Sequence, residues 1–240
     1  MPITWDFSGK TYLVSGVGRA GQIGHAVAQA LGQAGARIVA VDRNAVGVAE
    51  RVKEFSALGI QARPAAGDLT EPDVAANAVE TALRHYKRLD GVVNVAGGLT
   101  TYGPVEKTGA EAFDREISIN LKTAYLMTRA AVAALQESHG AVVNFASLAY
   151  FRGMSQMAVY SAAKAGVAAM TQSLAVELWP KGIRVNAVAP DMVRTPENVA
   201  AAGENAHYVE MEQIVGAVLF LVSDAASGIT GHILPVTNGS

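Results

Sequence analysis

The chain has 240 residues, half of them hydrophobic and 17% charged, with a formal net charge of −2. That suffices to bury one sizeable α/β core, and the length does not force a second domain. The near-neutral balance leaves no basic footprint for nucleic acid or an anionic membrane, and the lack of any cysteine excludes disulfides, thiolate zinc sites and cysteine nucleophiles.

The chain begins Met1-Pro2-Ile3-Thr4-Trp5-Asp6, without the basic start or apolar run of a signal peptide. No apolar stretch approaches the ~20 residues of a membrane helix, so a cytoplasmic protein is expected. In chain order, a strand at 11–14 runs into a glycine-rich loop and a helix over 23–34. A strand at 37–41 ends at Asp42 and precedes a helix over 44–57. A weaker strand at 61–66 is followed by a helix over 71–86, opened by Thr70-Glu71-Pro72, a cap followed by proline. Next come a strand at 91–95, a helix over 108–136, a strand at 141–145 and a helix over 156–180 stopped by Gly182. A strand at 184–188, a segment at 191–208 rich in Ala, Asn and Gly, a helix over 209–223 and a weaker strand at 232–236 complete the chain. The strands are almost continuously apolar, as strands covered on both faces are. This alternation predicts an α/β fold of about seven parallel strands, doubly wound with helices on both faces, in one domain spanning 1–240. The segment 191–208 follows the sixth strand at the carboxyl edge of the sheet and is expected to act as a substrate lid.

The loop after the first strand reads Ser15-Gly16-Val17-Gly18-Arg19-Ala20-Gly21-Gln22-Ile23-Gly24. Glycines here let the backbone turn sharply and approach a pyrophosphate, and the following helix N-terminus offers free N–H groups, as in a Rossmann-type dinucleotide site. An ordinary glycine-rich turn is the bland alternative. Asp42 lies roughly 20 residues further on, where an acidic side chain bonds the ribose hydroxyls of NAD and repels the 2′-phosphate of NADP. Arg19 and Arg43 keep NADP open, and a turn or helix cap is the bland reading of Asp42.

Tyr160 and Lys164 are four residues apart on a helical segment and therefore share a face. Two charges about 4 Å apart at an effective dielectric near 20 interact by about 4 kcal/mol. A lysine at that distance would bring a tyrosine from its ordinary value of about 10 to near 7, where a general acid–base works best. Tyr-x-x-x-Lys alone is more often a surface contact. Ser147 alone reads as a strand-end cap, Asn120 as a helix-surface polar residue and Thr195 as a turn before Pro196.

In order and spacing these residues resemble the compact form of the short-chain dehydrogenase/reductase family, across essentially the whole chain, and most of all its 3-oxoacyl-thioester reductases. Gly67-Asp68-Leu69-Thr70, Asn94-Val95-Ala96-Gly97, Arg184-Val185-Asn186-Ala187-Val188-Ala189-Pro190 and Ile229-Thr230-Gly231 are similar to its recurrent stretches. The resemblance implies a catalytic set of Asn120, Ser147, Tyr160 and Lys164. Tyr160 would exchange a proton with the substrate oxygen during hydride transfer, and Lys164 would lower its pKa and bind the nicotinamide ribose. Ser147 would polarise the substrate oxygen, and Asn120 would hold a water in a proton relay. The implied cofactor contacts are Gly16, Gly18, Gly21, Ile23, Gly24, Asp42, Asp68, Leu69, Asn94, Ala96, Gly97, Tyr160, Lys164, Pro190, Val193 and Thr195.

The departures are a loop about two residues longer than the common form, Ser15 for Thr, Asp191 for Gly, a short segment from Thr195 to Met211, and Val236-Thr237-Asn238-Gly239 at the end. The expected activity is an NAD-dependent, or else NADP-dependent, oxidoreductase acting on a small alcohol, ketone or acyl thioester. A non-catalytic dinucleotide sensor or scaffold is the alternative. The resemblance also implies a homo-oligomer, a tetramer before a dimer. The five histidines are too scattered for a metal site and read as surface or packing residues.

Overall fold

Seven strands form one parallel sheet: β1 (Thr11–Ser15), β2 (Arg37–Asp42), β3 (Ala62–Ala66), β4 (Gly91–Asn94), β5 (Ala141–Phe145), β6 (Arg184–Pro190) and β7 (Ile233–Val236). Their order in the sheet is β3-β2-β1-β4-β5-β6-β7. The computed structural model describes residues 4–239. Residues 1–3, which carry part of the reading of the N-terminus, and Ser240 lie outside the described residues. The winding runs outward from β1 to β3, then crosses back to place β4 on the other side of β1. That reversal opens a crevice at the carboxyl ends of β1 and β4, where doubly wound sheets bind ligands.

Helices α1 (Ile23–Gln33), α2 (Ala45–Ala57) and α8 (Met211–Val222) cover one face, and α3 (Pro72–Tyr86), α5 (Thr123–Ser138) and α6 (Ala158–Leu178) the other. The sheet is buried on both sides, which is why its strands carry Val, Ile, Leu and Ala without alternation. Val14, Ile38, Phe55, Val143 and Ile214 belong to one core, and Leu13, Val92, Met127, Leu135 and Leu178 to the other. Helix ends follow local chemistry. Pro72 opens α3 and left-handed Lys87 closes it, while α8 starts on a capping box between Glu210 and Gln213.

All seven expected strands are present, including the two weak ones. The helix expected over 108–136 is not continuous. It consists of α4 (Ala110–Ile117), a π turn at Ser118–Lys122 and α5. The Thr123 N–H donates to Ser118 O, five residues back rather than four. Hydrophobic periodicity averages over one such extra residue, so the pattern reads as a single helix. Among the described residues no helix is long and apolar enough to cross a membrane.

Candidate active site

The glycine loop joins β1 to α1 at the crevice. Gly16 and Gly21 have φ of +75° and +70°, a left-handed backbone that disfavours any side chain. A Cβ on Gly24 would lie 2.3 Å from Gly16 O, so the loop can fold onto the helix only with glycine there. Gln22, at the N-cap of α1, makes no side-chain cap, and the first turn holds no acidic residue. The leading N–H groups and the positive end of the helix dipole are thus available to an anion, and with the glycine cradle they fit a pyrophosphate.

Asp42 at the end of β2 braces this loop. Its Oδ2 accepts from Gly18 N and its Oδ1 from Asn44 N, both at 2.9 Å. The turn role foreseen as the bland reading is real, yet each oxygen keeps a lone pair for a hydroxyl donor. A Cβ on Gly18 would meet Asp42 Cγ at 2.8 Å, which explains that glycine. Ser15 Oγ accepts from Val95 N and Ala96 N at 3.0 Å, tying the start of the loop to the strand end that carries Ala96 and Gly97. Asp68 Oδ1 accepts from Thr70 N at 2.9 Å, and that bond holds its carboxyl below the usual range. Leu69 beside it is buried.

One histidine does more than pack. Gly21 N donates to His25 Nδ1 at 3.1 Å, and His25 Nε2 faces Glu54 Oε1 at 3.1 Å. The ring stacks on Phe55 and fixes the far end of the glycine loop. The sequence reading, which took this histidine as a surface or packing residue, did not foresee the brace.

Ser147, Tyr160 and Lys164 meet beyond the end of β5. Ser147 caps a short turn at Leu148–Tyr150, its Oγ accepting from Ala149 N at 3.2 Å, and it also hydrogen-bonds the Tyr160 phenol. Lys164, one turn along α6, is 4% exposed. Its Nζ donates to Phe145 O at 2.7 Å and lies 5.8 Å from the centre of the Tyr160 ring. Burial pushes its ammonium down to about 8. The phenol, expected to titrate near neutrality, is instead pushed up. Burial is the main cause, the Ser147 hydrogen bond opposes it and the Glu116 charge adds to it. The expectation placed an ammonium about 4 Å from the phenolic oxygen in partly wet surroundings. Here the ammonium is engaged by a carbonyl, and desolvation of the phenolate prevails.

Asn120 sits in the π turn, 2% exposed. Its Nδ2 donates to Gly98 O and Glu116 O at 3.0 Å and to Glu116 Oε1 at 3.2 Å, while its Oδ1 accepts from Gly98 N at 2.9 Å. Both amide hydrogens have protein acceptors, so one Oδ1 lone pair is the capacity left to the side chain. A Cβ on Gly97 would lie 2.6 Å from that Oδ1, which accounts for the glycine. Asn94 turns away from the crevice and donates to Asn144 Oδ1 and Thr128 Oγ1 at 2.8 and 3.1 Å. Glu116, fully buried, escaped the sequence reading because it looks like one more surface acid on an amphipathic helix.

The segment expected to act as a lid has structure of its own. Thr195 caps α7 (Pro196–Ala202), its hydroxyl accepting from Asn198 N at 3.2 Å. Val193 forms a parallel bridge with Val209, closing the segment at its base. Arg19 in the glycine loop pairs with Glu197, and a Cβ on Gly21 would meet Pro196 Cγ at 3.1 Å. α7 is therefore docked on the glycine loop. Arg152 and Asp191 form a second bridge, 3.0 Å, between the connections that follow β5 and β6. Pro190, buried at the end of β6, directs the chain into this segment. A cavity of about 300 Å³ lies beside α6, lined by Thr101, Val105, Phe113, Gln156 and Val159 among others.

A doubly wound sheet with an uncapped helix behind a glycine loop, and a Ser–Tyr–Lys cluster opposite, defines the class of dinucleotide-linked enzymes. A family model described as enoyl-(acyl carrier protein) reductase matches residues 16–240. Cyclohexanol dehydrogenase from an Acinetobacter species is 34% identical over 94% of this chain and 92% of its own. 3-Oxoacyl-[acyl-carrier-protein] reductase FabG of Thermotoga maritima is 31% identical over 96% and 97%. A short-chain type dehydrogenase/reductase from Mycobacterium ulcerans superposes with a TM-score of 0.92 at 32% identity, over 98% of this chain and 90% of that one. The chain belongs to the short-chain dehydrogenase/reductase family and is an oxidoreductase of hydroxyl and carbonyl groups. Enzymes of this family use NAD(H) or NADP(H).

Proposed function

We propose that the protein oxidises an alcohol, or reduces the corresponding carbonyl, with NAD preferred over NADP, and that Tyr160 is the general acid–base. The observation that carries this reading is the approach of a buried Lys164, held by the Phe145 carbonyl at 2.7 Å, to within 5.8 Å of the centre of the Tyr160 ring, with Ser147 acting on the phenol. Ser147 orients the phenol and offers its hydroxyl to the substrate oxygen. Tyr160 Oη takes the alcohol proton as the carbonyl forms. Lys164 supplies a cation beneath both and a donor for the nicotinamide ribose. When bound, oxidised nicotinamide accepts the hydride and adds a positive charge that opposes the effect of burial on the phenol. Asn120 orders the Gly98 backbone and offers its remaining lone pair to a relay water.

Preference for NAD rests on Asp42, whose two oxygens are fixed by Gly18 and Asn44, and on the pairing of Arg19 with Glu197 away from a 2′-phosphate. The Thr195 hydroxyl keeps its proton free for the nicotinamide carboxamide. The mostly apolar cavity beside α6 suits an apolar substrate body, and the relatives' names cover a cyclic alcohol and an acyl thioester. Exposed Tyr125 on α5 and Val176 on α6 suit pairing of subunits in a homo-oligomer, tetrameric by family habit, which sedimentation equilibrium measures.

Tyr160→Phe keeps the packing and removes the proton carrier. Turnover of cyclohexanol with NAD, or of a 3-oxoacyl thioester with NADH, is expected to fall by about 10²–10⁴ while NADH binding persists. A variant retaining more than about a tenth of wild-type turnover, with chemistry rate-limiting, would remove Tyr160 from the reaction.

A further inference from the structure

The π turn brings a carboxylate under the active site. Glu116 is 0% exposed and accepts hydrogen bonds from Thr100 N at 3.3 and 3.2 Å, from the Thr100 hydroxyl, and from Asn120 Nδ2 at 3.2 Å. Those donors satisfy a carboxylate, not a neutral acid, so the group is built to be charged. Lys164, also buried, has only the Phe145 carbonyl as a hydrogen-bond partner among the described residues. Neither side chain has an ion-pair partner among the described residues. Two unpaired buried charges of opposite sign, on helices packed against each other, are costly apart and each offsets the other. Among the described residues Glu116 is also the one ionisable side chain whose charge acts on both Lys164 and Tyr160. The other groups against Tyr160 and Lys164, Ser147 and the Phe145 carbonyl, carry no charge.

We propose that Glu116 is the buried counter-charge of the active site, a positioning residue that keeps Lys164 in its ammonium form and ties the Gly98–Thr100 connection to Asn120. The proposal rests on Tyr160 being the acid–base. The same negative charge that favours the ammonium disfavours the phenolate, so Glu116 sets where the Tyr160–Lys164 pair titrates. Its removal favours the phenolate at lower pH and favours loss of the lysine proton.

The test is a tyrosinate-absorbance titration of the full-length protein with saturating NAD, taken as the difference from Tyr160→Phe so that the other tyrosines cancel. Glu116→Gln retains an acceptor for Thr100 but no charge, and Glu116→Asp retains the charge. The Tyr160 midpoint is expected to move to lower pH in Glu116→Gln and to stay near wild type in Glu116→Asp. Cyclohexanol oxidation then gains at least about threefold in the fraction of its plateau rate reached near pH 6.5, with KM changing less than kcat. A folded Glu116→Gln with an unmoved midpoint overturns the proposal. So does a midpoint that moves equally in Glu116→Asp, because that marks a packing effect. Should Glu116→Gln not fold, Thr100→Val combined with Glu116→Leu removes the hydroxyl–carboxylate pair, leaves the Thr100 N–H and Asn120 Nδ2 without that acceptor, and is read the same way. If Tyr160→Phe is as active as wild type, the assignment of Tyr160 fails instead, a result independent of the Glu116 comparison.

Discussion

Lys164 and Tyr160 pull the pH behaviour of the protein in opposite directions, and the signs separate them. Lys164 has a folded value of about 8 against an ordinary 10.5. Below about 8 both folded and unfolded chains hold the proton, and the burial penalty is present in full. Between those values the unfolded chain still holds a proton that the folded chain has released, so stability rises with pH, by up to about 3 kcal/mol. Tyr12 and Tyr160 are both pushed up by burial and reverse the trend above about 10, where unfolded tyrosines ionise first. Urea midpoints at about pH 7.5 and about pH 9.5 are expected to show the rise in wild type and its absence in Lys164→Met. At the other side of the crevice, Asp42→Ala removes the acceptors of Gly18 and Asn44 together with the charge that repels a 2′-phosphate. The ratio of kcat/KM for NAD over NADP is expected to fall at least about tenfold. Wild-type enzyme that favours NADP would overturn the assignment and point to Arg43.

At the scale of elements, α7 is the weakest-held part of the site. It has two turns and no buried residue, and its Pro196 and Glu197 contacts to the glycine loop are exposed. An exposed ion pair such as Arg19–Glu197 contributes about 0–1 kcal/mol, so the contact with the glycine loop holds the helix weakly, while Asn198 Nδ2 donating to Val193 O, the Tyr208 hydroxyl donating to Gly203 O and the Val193–Val209 bridge hold its base. Amide exchange of residues 197–207 is expected to be fast in the free enzyme and to slow on adding NADH. Arg19→Ala is expected to speed exchange in the free enzyme by no more than about fivefold. Strong protection without ligand, unchanged by NADH, would make α7 a fixed wall. The π turn between α4 and α5 is the opposite kind of element, fastened by a buried side chain, Asn120. It is held by Asn120 on one side and Glu116 on the other.

The whole molecule is pinned by a buried polar chain that runs along one face of the sheet, from Thr128 on α5 through Asn94 and Asn144 to Thr171 on α6. Asn94 on β4 donates to Asn144 on β5 at 2.8 Å, and Asn144 donates to Thr171 on α6 at 2.9 Å. Both asparagines are 5% exposed or less. Unlike apolar contacts, these bonds hold at one register only, so they fix how β4, β5 and α6 align and hence where Lys164 stands relative to β5. Asn144→Ala is expected to cost about 2–3 kcal/mol in urea unfolding, with an unchanged m-value. It is also expected to lower turnover without touching substrate. A loss below about 0.5 kcal/mol would show that the chain is ornamental.

Much of this protein was legible before any coordinates. Continuous apolar strands dictate a sheet covered on both faces. Their alternation with helices dictates parallel order, and the Ser15–Gly24 loop followed by Asp42 has the form expected of a dinucleotide site at the first crossover. These are local or periodic properties, set by side-chain period and backbone sterics, and a linear text records them. The spacing of Tyr160 and Lys164 was legible for the same reason. What the sequence does not record is which polar groups are taken out of water together. Glu116 reads as a surface acid until α4 packs against α6 and buries it. The upward push on Tyr160 depends on desolvation by segments far away in the chain, and His25 becomes a loop brace only when Phe55 and Glu54 arrive from α2. Burial and charge–charge distance are properties of the packed molecule, and tertiary structure alone decided them.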